Sequence, residues 1–75
     1  MRSYSVFSES LFGKEIGEYT SFGLVCIDSG NEILRISDLS PERNDVERFC
    51  RLLNLYHIPP DDLTDYLEDF LAKEV

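Results

Sequence analysis

Pro59 and Pro60 stand side by side between two stretches of helical hydrophobic periodicity. A proline pushes the residue before it out of helical geometry, so Pro59 acts on Ile58 and Pro60 acts on Pro59. One continuous helix through this region is thereby excluded, and two shorter ones are required. Upstream, Val46, Phe49, Cys50, Leu53 and Tyr56 recur at helical spacing and share one face. Leu52 widens that face, and Leu55 falls on the far side. Downstream, Leu63, Tyr66, Leu67, Phe70 and Leu71 follow at i, i+3, i+4, i+7 and i+8. The opposite face of this second helix carries Asp61, Asp62, Asp65, Glu68 and Asp69.

The helix ends follow from local chemistry. Ser40-Pro41-Glu42 predicts a start with Ser40 as N-cap and Pro41 as the first helical residue. Glu42 and Asp45 then meet the positive end of the helix dipole. Arg43 stands where a capping box would have Glu or Gln. The first helix is expected to stop between Asn54 and His57. Pro60 then opens the second, with Asp61 and Asp62 in its first turn and Ile58 and Leu63 at the spacing of a hydrophobic staple.

Everything before residue 40 reads as strand and turn. Residues 3–9 form a first strand, with Tyr4 and Val6 on one face and Phe7 on the other. Residues 18–28 form a second, with Phe22, Leu24 and Cys26 on one face and Tyr19, Ser21, Gly23, Val25 and Ile27 on the other. Gly23 inside this strand signals a bulge or a close backbone approach, such as a helix overhead. Residues 28–32 make a hairpin turn in which Gly30 or Asn31 supplies the positive φ. Residues 33–39 form a third strand. Between the first two strands lies a wide connection, residues 11–17, bracketed by Gly13 and Gly17. Its apolar residues Leu11, Phe12 and Ile16 either cap the sheet or form an exposed patch, and the cap is favoured.

Three sequential strands with short turns make an antiparallel meander. Two apolar helix stripes and one apolar sheet face are most simply satisfied in two layers. The expected fold is therefore α+β: a three-stranded antiparallel meander followed by a two-helix hairpin packed on one face, in the order β-β-β-α-α. Seventy-five residues make a single domain spanning 1–75. A chain of this size buries only about 60% of its unfolded surface.

Charge limits the partners. The net charge is −8, and it is uneven: −3 over residues 1–40, zero over 41–60 and −5 over 61–75. Phosphate contact needs a basic face, so direct nucleic-acid binding is not expected. Cys26 and Cys50 read as buried reduced thiols, with a Cys26–Cys50 bridge as the alternative. Met1-Arg2 followed by alternating polar residues does not read as a signal peptide, and no stretch is long enough to span a bilayer. A cytoplasmic, membrane-free protein is expected.

The sequence carries no catalytic constellation. His57 is the lone histidine, at a helix C-terminus, and reads as a structural or surface residue. Cys26, Cys50 and His57 are too few and too scattered for zinc. Gly13, Gly17, Gly23 and Gly30 match neither GxGxxG nor a P-loop. Asp28-Ser29-Gly30-Asn31 has its glycine at the third position, not the sixth that a calcium loop needs. Asp61, Asp65 and Asp69 repel one another mildly at i, i+4, i+8. An exposed helix face lacks the pocket that would tune them for catalysis. The expectation is a non-enzyme without metal or cofactor.

Phe22-Gly23-Leu24, Ile36-Ser37-Asp38-Leu39-Ser40 and Leu63-Thr64-Asp65-Tyr66-Leu67-Glu68-Asp69-Phe70-Leu71 resemble a family of small uncharacterised proteins from Clostridia-like Gram-positive bacteria. The resemblance spans residues 4–71, and its motifs are structural, not catalytic. Pro59-Pro60 stands where that family's pattern has Ser-Pro before the last helix. The resemblance implies a cytoplasmic bacterial protein and brings no activity with it.

Three functions fit. The first is a protein-binding or adaptor module that uses the unplaced apolar residues Leu11, Phe12, Ile16 and Leu55. The second is an acidic inhibitor or nucleic-acid mimic that presents Asp61, Asp62, Asp65, Glu68 and Asp69 to a basic groove of a nucleic-acid-processing protein. The third is a structural homodimer joined through an edge strand or through Leu11 and Phe12.

Overall fold

The computed structural model describes residues 1–74. The elements run β1 (Arg2–Gly13), β2 (Gly17–Asp28), β3 (Asn31–Ser40), α1 (Arg43–Leu55), a single 3₁₀ turn (Pro60–Asp62) and α2 (Leu63–Glu74). The strands form one antiparallel sheet in the order β1-β2-β3. This is the expected meander followed by two helices, packed against the sheet.

The pairing of β1 with β2 is unbroken from Arg2 opposite Asp28 to Gly13 opposite Gly17. Residues directly opposite share a face, so Tyr4, Val6, Phe22, Leu24 and Cys26 point together to the helix side. Ser29 and Gly30 both take positive φ (53° and 84°) in the second hairpin, and Asn31 is left to pair with Asp28. Two positive angles in a two-residue loop twist the chain in the same sense as the strands it joins.

β3 is irregular. Leu24 pairs with Ile36 but Phe22 pairs with Ser40, so residues 37–39 bulge out opposite Gly23. A Cβ on Gly23 would stand 2.1 Å from the Ile36 carbonyl oxygen and 2.9 Å from the Phe7 ring. The close approach expected at Gly23 is therefore made by the bulged neighbouring strand and not by a helix. Asp38, at the apex, takes φ +57°, which Asp tolerates better than most residues. Its carboxylate accepts from Ser21 Oγ (2.6 Å) and Tyr19 OH (3.3 Å), and its N–H donates to Glu9 (2.9 Å).

One core fills the space between sheet and helices. Tyr4, Leu24, Cys26, Leu39, Val46, Phe49, Cys50, Leu53, Ile58 and Leu63 are buried in it, and Val6, Phe22, Leu34, Ile36, Leu67 and Phe70 pack around it. Both cysteines are buried and free. Burial pushes the Cys50 thiol up to about 11, helped by the nearby Glu47 carboxylate.

Several local expectations are corrected. α1 begins at Arg43 with Glu42 as N-cap, because Ser40 is still committed to β3 through its pairing with Phe22. The Ser40 hydroxyl instead accepts the Glu42 N–H at 3.0 Å and turns the chain out of the sheet. Pro60 opens the 3₁₀ turn, and the α-helix follows at Leu63. At the other end of α1, His57 takes φ +52°. The His57 N–H donates to the Asn54 carbonyl and the Ile58 N–H to the Leu53 carbonyl (3.3 and 3.0 Å). These are the two bonds of a Schellman motif, and Ile58 and Leu53 supply its buried apolar pair.

Candidate functional site

The helix stripes are wider than the sheet can cover. Leu52 on α1 and Tyr56 just past its end, and Tyr66 and Leu71 on α2, stay substantially exposed, although their spacing assigned them to the core. The reason is geometric. Phe49 of α1 stacks on Phe70 of α2, with ring centroids 4.7 Å apart. That contact closes the inner part of the seam between the helices. Residues one helical step outward are then left facing each other above it.

The result is a groove of about 760 Å³ between α1 and α2. Leu52, Tyr56, Tyr66, Phe49 and Phe70 form its apolar lining, and Asp45, Arg48 and Asp69 form its polar border. The volume lies in the range of sites that hold small ligands or peptide side chains. Arg48 is ion-paired with Asp45 three residues earlier, so the border charge without an ion pair among the described residues is the carboxylate of Asp69. Sequence reasoning missed this site because it assigned Tyr56 and Tyr66 to the core. The available signal was their hydroxyls, which favour positions where one end of the ring meets water.

The residues singled out from sequence fall in three places. Asp61 and Asp62 lie in the 3₁₀ turn and Asp65, Glu68 and Asp69 on α2, all exposed. The side-chain ion pairs among the described residues, Arg35–Glu32, Arg43–Glu47 and Arg48–Asp45, engage none of these five. Leu11, Phe12 and Ile16 all lie on the β1–β2 hairpin, with Leu11 and Phe12 on opposite faces of it. Leu11 is half-buried, while Phe12 is 78% and Ile16 69% exposed. They do not cap the sheet, because β1 continues to Gly13 and carries them past the last β3 pairing, at Phe22. Residues 10–13 and 17–20 thus form a two-stranded arm beyond the three-stranded body, with Glu9 and Ser21 at its base bonded to the β3 bulge. Leu55, 69% exposed, is remote from them. Its neighbour Asn54 is bonded to Tyr4, and Phe12 lies eight residues further along β1, about 27 Å at 3.4 Å per residue.

The Glu9, Tyr19, Ser21 and Asp38 cluster brings two carboxylates, a phenol and a hydroxyl together, but its bonds hold the β3 bulge. The Asp38 carboxylate raises the Tyr19 phenol together with partial desolvation, which is the larger cause. Among the described residues no three His, Cys, Asp or Glu side chains gather as a metal site. No helix among them is long and apolar enough to cross a membrane. No protein-family model matches the chain, and neither a curated protein nor a solved structure is similar to it.

Proposed function

We infer that this protein is a non-catalytic binding module that takes an apolar, basic segment of another protein into the groove between α1 and α2. The observation that carries this reading is the groove lining: Tyr56, Tyr66 and Leu52 left facing water along one seam, over a floor made by the stacked Phe49 and Phe70 rings. Tyrosine and phenylalanine are enriched where binding energy concentrates, because they bring large area with few rotatable bonds. Charge supports a basic partner. Asp69 borders the groove, Asp61, Asp62, Asp65 and Glu68 lie on the same short segment, and the whole chain carries −8. A cytoplasmic setting in a bacterium, as the family resemblance implies, belongs to the same proposal.

The test is a peptide-display selection against the intact protein, with Leu52→Asp as counter-target. Enriched peptides are expected to combine two or more large apolar residues with Lys or Arg, and to bind L52D at least tenfold more weakly. Peptides that bind L52D as well as the native protein would rule out the groove.

A second reading rests on the five exposed carboxylates, none of which forms an ion pair among the described residues. In it, the acidic segment itself is the binding face and imitates nucleic acid toward a basic groove. The two readings separate by salt: a purely acidic face loses affinity steeply as ionic strength rises, and an aromatic groove keeps most of it.

A further inference from the structure

We propose that two copies of this chain pair antiparallel along the outer edge of β1, joining their sheets into one of six strands. The proposal is independent of the groove, and it begins with the edge itself. Tyr4 directs its N–H and C=O outward, where Asn54 meets both. β1 pairs with β2 without a register shift, so the outward direction recurs at every second residue: Val6, Ser8, Ser10 and Phe12. These positions form an unbroken row of backbone groups with no partner among the described residues, the kind of edge that templates another strand. Residues 3–12 carry a single charge, Glu9, so the strip is close to neutral in a strongly acidic chain. The opposite edge is different, because β3 is broken by two register shifts that disrupt its ladder.

The arm supplies the second argument. Two strands alone are marginally stable in water, and residues 10–13 with 17–20 have no third strand, the single side-chain bond from Tyr19 to Asp38 aside. A second β1 would provide it. Asn54 blocks pairing at Tyr4, and the turn ends it after Gly13. The antiparallel register that uses all four outward residues sets Val6 opposite Phe12 and Ser8 opposite Ser10, about a two-fold axis at Glu9. Such a contact is self-complementary and closes as a dimer.

That register brings complementary surfaces together. Phe12 lies on the helix side of the sheet, as does Val6. Beside Val6, between β1 and the flank of α1, lies a hollow of about 430 Å³ lined by Tyr4, Val6, Cys50, Arg51 and Asn54 among others. Phe12 of the second copy stands at its mouth. Glu18, the β2 partner of Phe12, comes with it. Glu18, whose Oε1 accepts from the Ser10 hydroxyl at 2.7 Å, then comes toward Arg51, which forms no ion pair with any described residue. The pairing has one opposing feature: Glu9 meets its own copy at the axis. Each Glu9 carboxylate is already held by the Asp38 N–H, which draws off part of that repulsion.

Sedimentation equilibrium of the full chain from micromolar to millimolar concentration tests this, with circular dichroism to check folding. The native protein is expected to dimerise. Ser8→Pro removes an outward N–H at an edge position that tolerates proline, and Phe12→Ser empties the hollow. Each is expected to weaken the dimer at least tenfold, and F12S serves alone if S8P does not fold. Arg51→Glu and Glu18→Arg should each weaken it, and the double variant should restore it. Glu9→Gln should tighten it. A native protein that stays monomeric at millimolar concentration overturns the proposal, as does a dimer indifferent to F12S. Failure of the charge swap to restore association overturns the register.

Discussion

The side-chain amide of Asn54 pairs with both backbone groups of Tyr4, fifty residues earlier in the chain: Tyr4 N–H donates to Oδ1 at 2.7 Å, and Nδ2 donates to the Tyr4 carbonyl at 2.9 Å. A single side chain thus does what a neighbouring strand would do, and it fastens the end of α1 to the first strand. The Tyr4 hydroxyl adds a third tie by donating to the Ile58 carbonyl at 2.7 Å. Asn54→Ala is expected to cost about 1–3 kcal/mol, the penalty for leaving such groups without partners. Asn54→Asp should recover less than half of that, because a carboxylate has no donor for the Tyr4 carbonyl. Urea denaturation of the three proteins measures both. A loss in N54A below a few tenths of a kcal/mol would show that water replaces the amide without cost.

The corner after α1 suggests a gain in stability. His57 occupies the left-handed position of the Schellman motif, where glycine is the usual residue. Holding an L-residue there costs roughly 1–2 kcal/mol, and glycine gives back part of that through its freer unfolded chain. His57 contributes its backbone at this corner: its N–H donates to Asn54, and its carbonyl accepts from Arg2 Nη2 at 3.2 Å. His57→Gly keeps both bonds. It is expected to raise stability by about 0.5–1 kcal/mol, read as a higher urea midpoint at unchanged slope. A lower midpoint would mean that the imidazole makes a contribution the backbone geometry does not reveal.

The residues that sequence placed well are those whose environment is fixed by short-range periodicity. Val46, Phe49, Cys50 and Leu53 repeat at helical spacing and are buried, and the Pro-Pro corner separates two helices as its stereochemistry demands. Missed features depend on partners distant in sequence. Nothing local at Leu11 and Phe12 says that β1 keeps pairing with β2 as far as Gly13, because that is decided by residues 17–20 across the hairpin. Nothing local at Ser40 says that its pairing with Phe22 will outlast its preference for the N-cap. The groove was missed for a related reason. Periodicity states which residues share a face, but how much of that face is covered depends on how closely Phe49 and Phe70 draw the two helices together.

Gly23 joins the two kinds of information, since its presence in a strand was legible and its cause was not. The Ile36 carbonyl approaches so closely that any side chain must displace the bulge, and the Phe7 ring blocks the remaining space. That ring is itself pinned, with the Arg35 guanidinium carbon 4.4 Å from its centroid. Arg35 is in turn held by two hydrogen bonds to Glu32, whose carboxyl they keep below the usual range. Gly23→Ala is expected to cost about 3 kcal/mol, at the upper end for overpacking, because the obstructing atom is backbone. Adding Phe7→Ala would relieve the ring contact but not the carbonyl, so the double variant should remain destabilised. Thermal denaturation of G23A within a degree or two of the native protein would mean that β3 can release its bulge.

Stability should fall on the alkaline side, and the direction follows from three buried acids. Burial raises the Tyr4 phenol to about 12, with the neighbouring Cys26 adding to the rise. Burial and the Glu47 carboxylate raise the Cys50 thiol to about 11, and burial raises the Cys26 thiol as well. In the unfolded chain these groups give up their protons near their ordinary values of 9 for the thiols and 10 for the phenol. Between those values and the folded ones the unfolded state binds fewer protons, so the unfolding free energy declines as pH rises. The contribution is whole below about pH 9 and drains away through about pH 12. Denaturant midpoints taken in steps across that window should therefore decrease, while those between pH 7 and about 8.5 hold steady with respect to these groups. Tyr4→Phe removes one of the three acids and also the bond to Ile58. It should start from a lower midpoint at neutral pH and lose less on the way to pH about 11. An alkaline slope as steep in Y4F as in the native protein would assign the loss to the thiols and the raised Tyr19 phenol, and a flat profile in both would contradict the burial of all three.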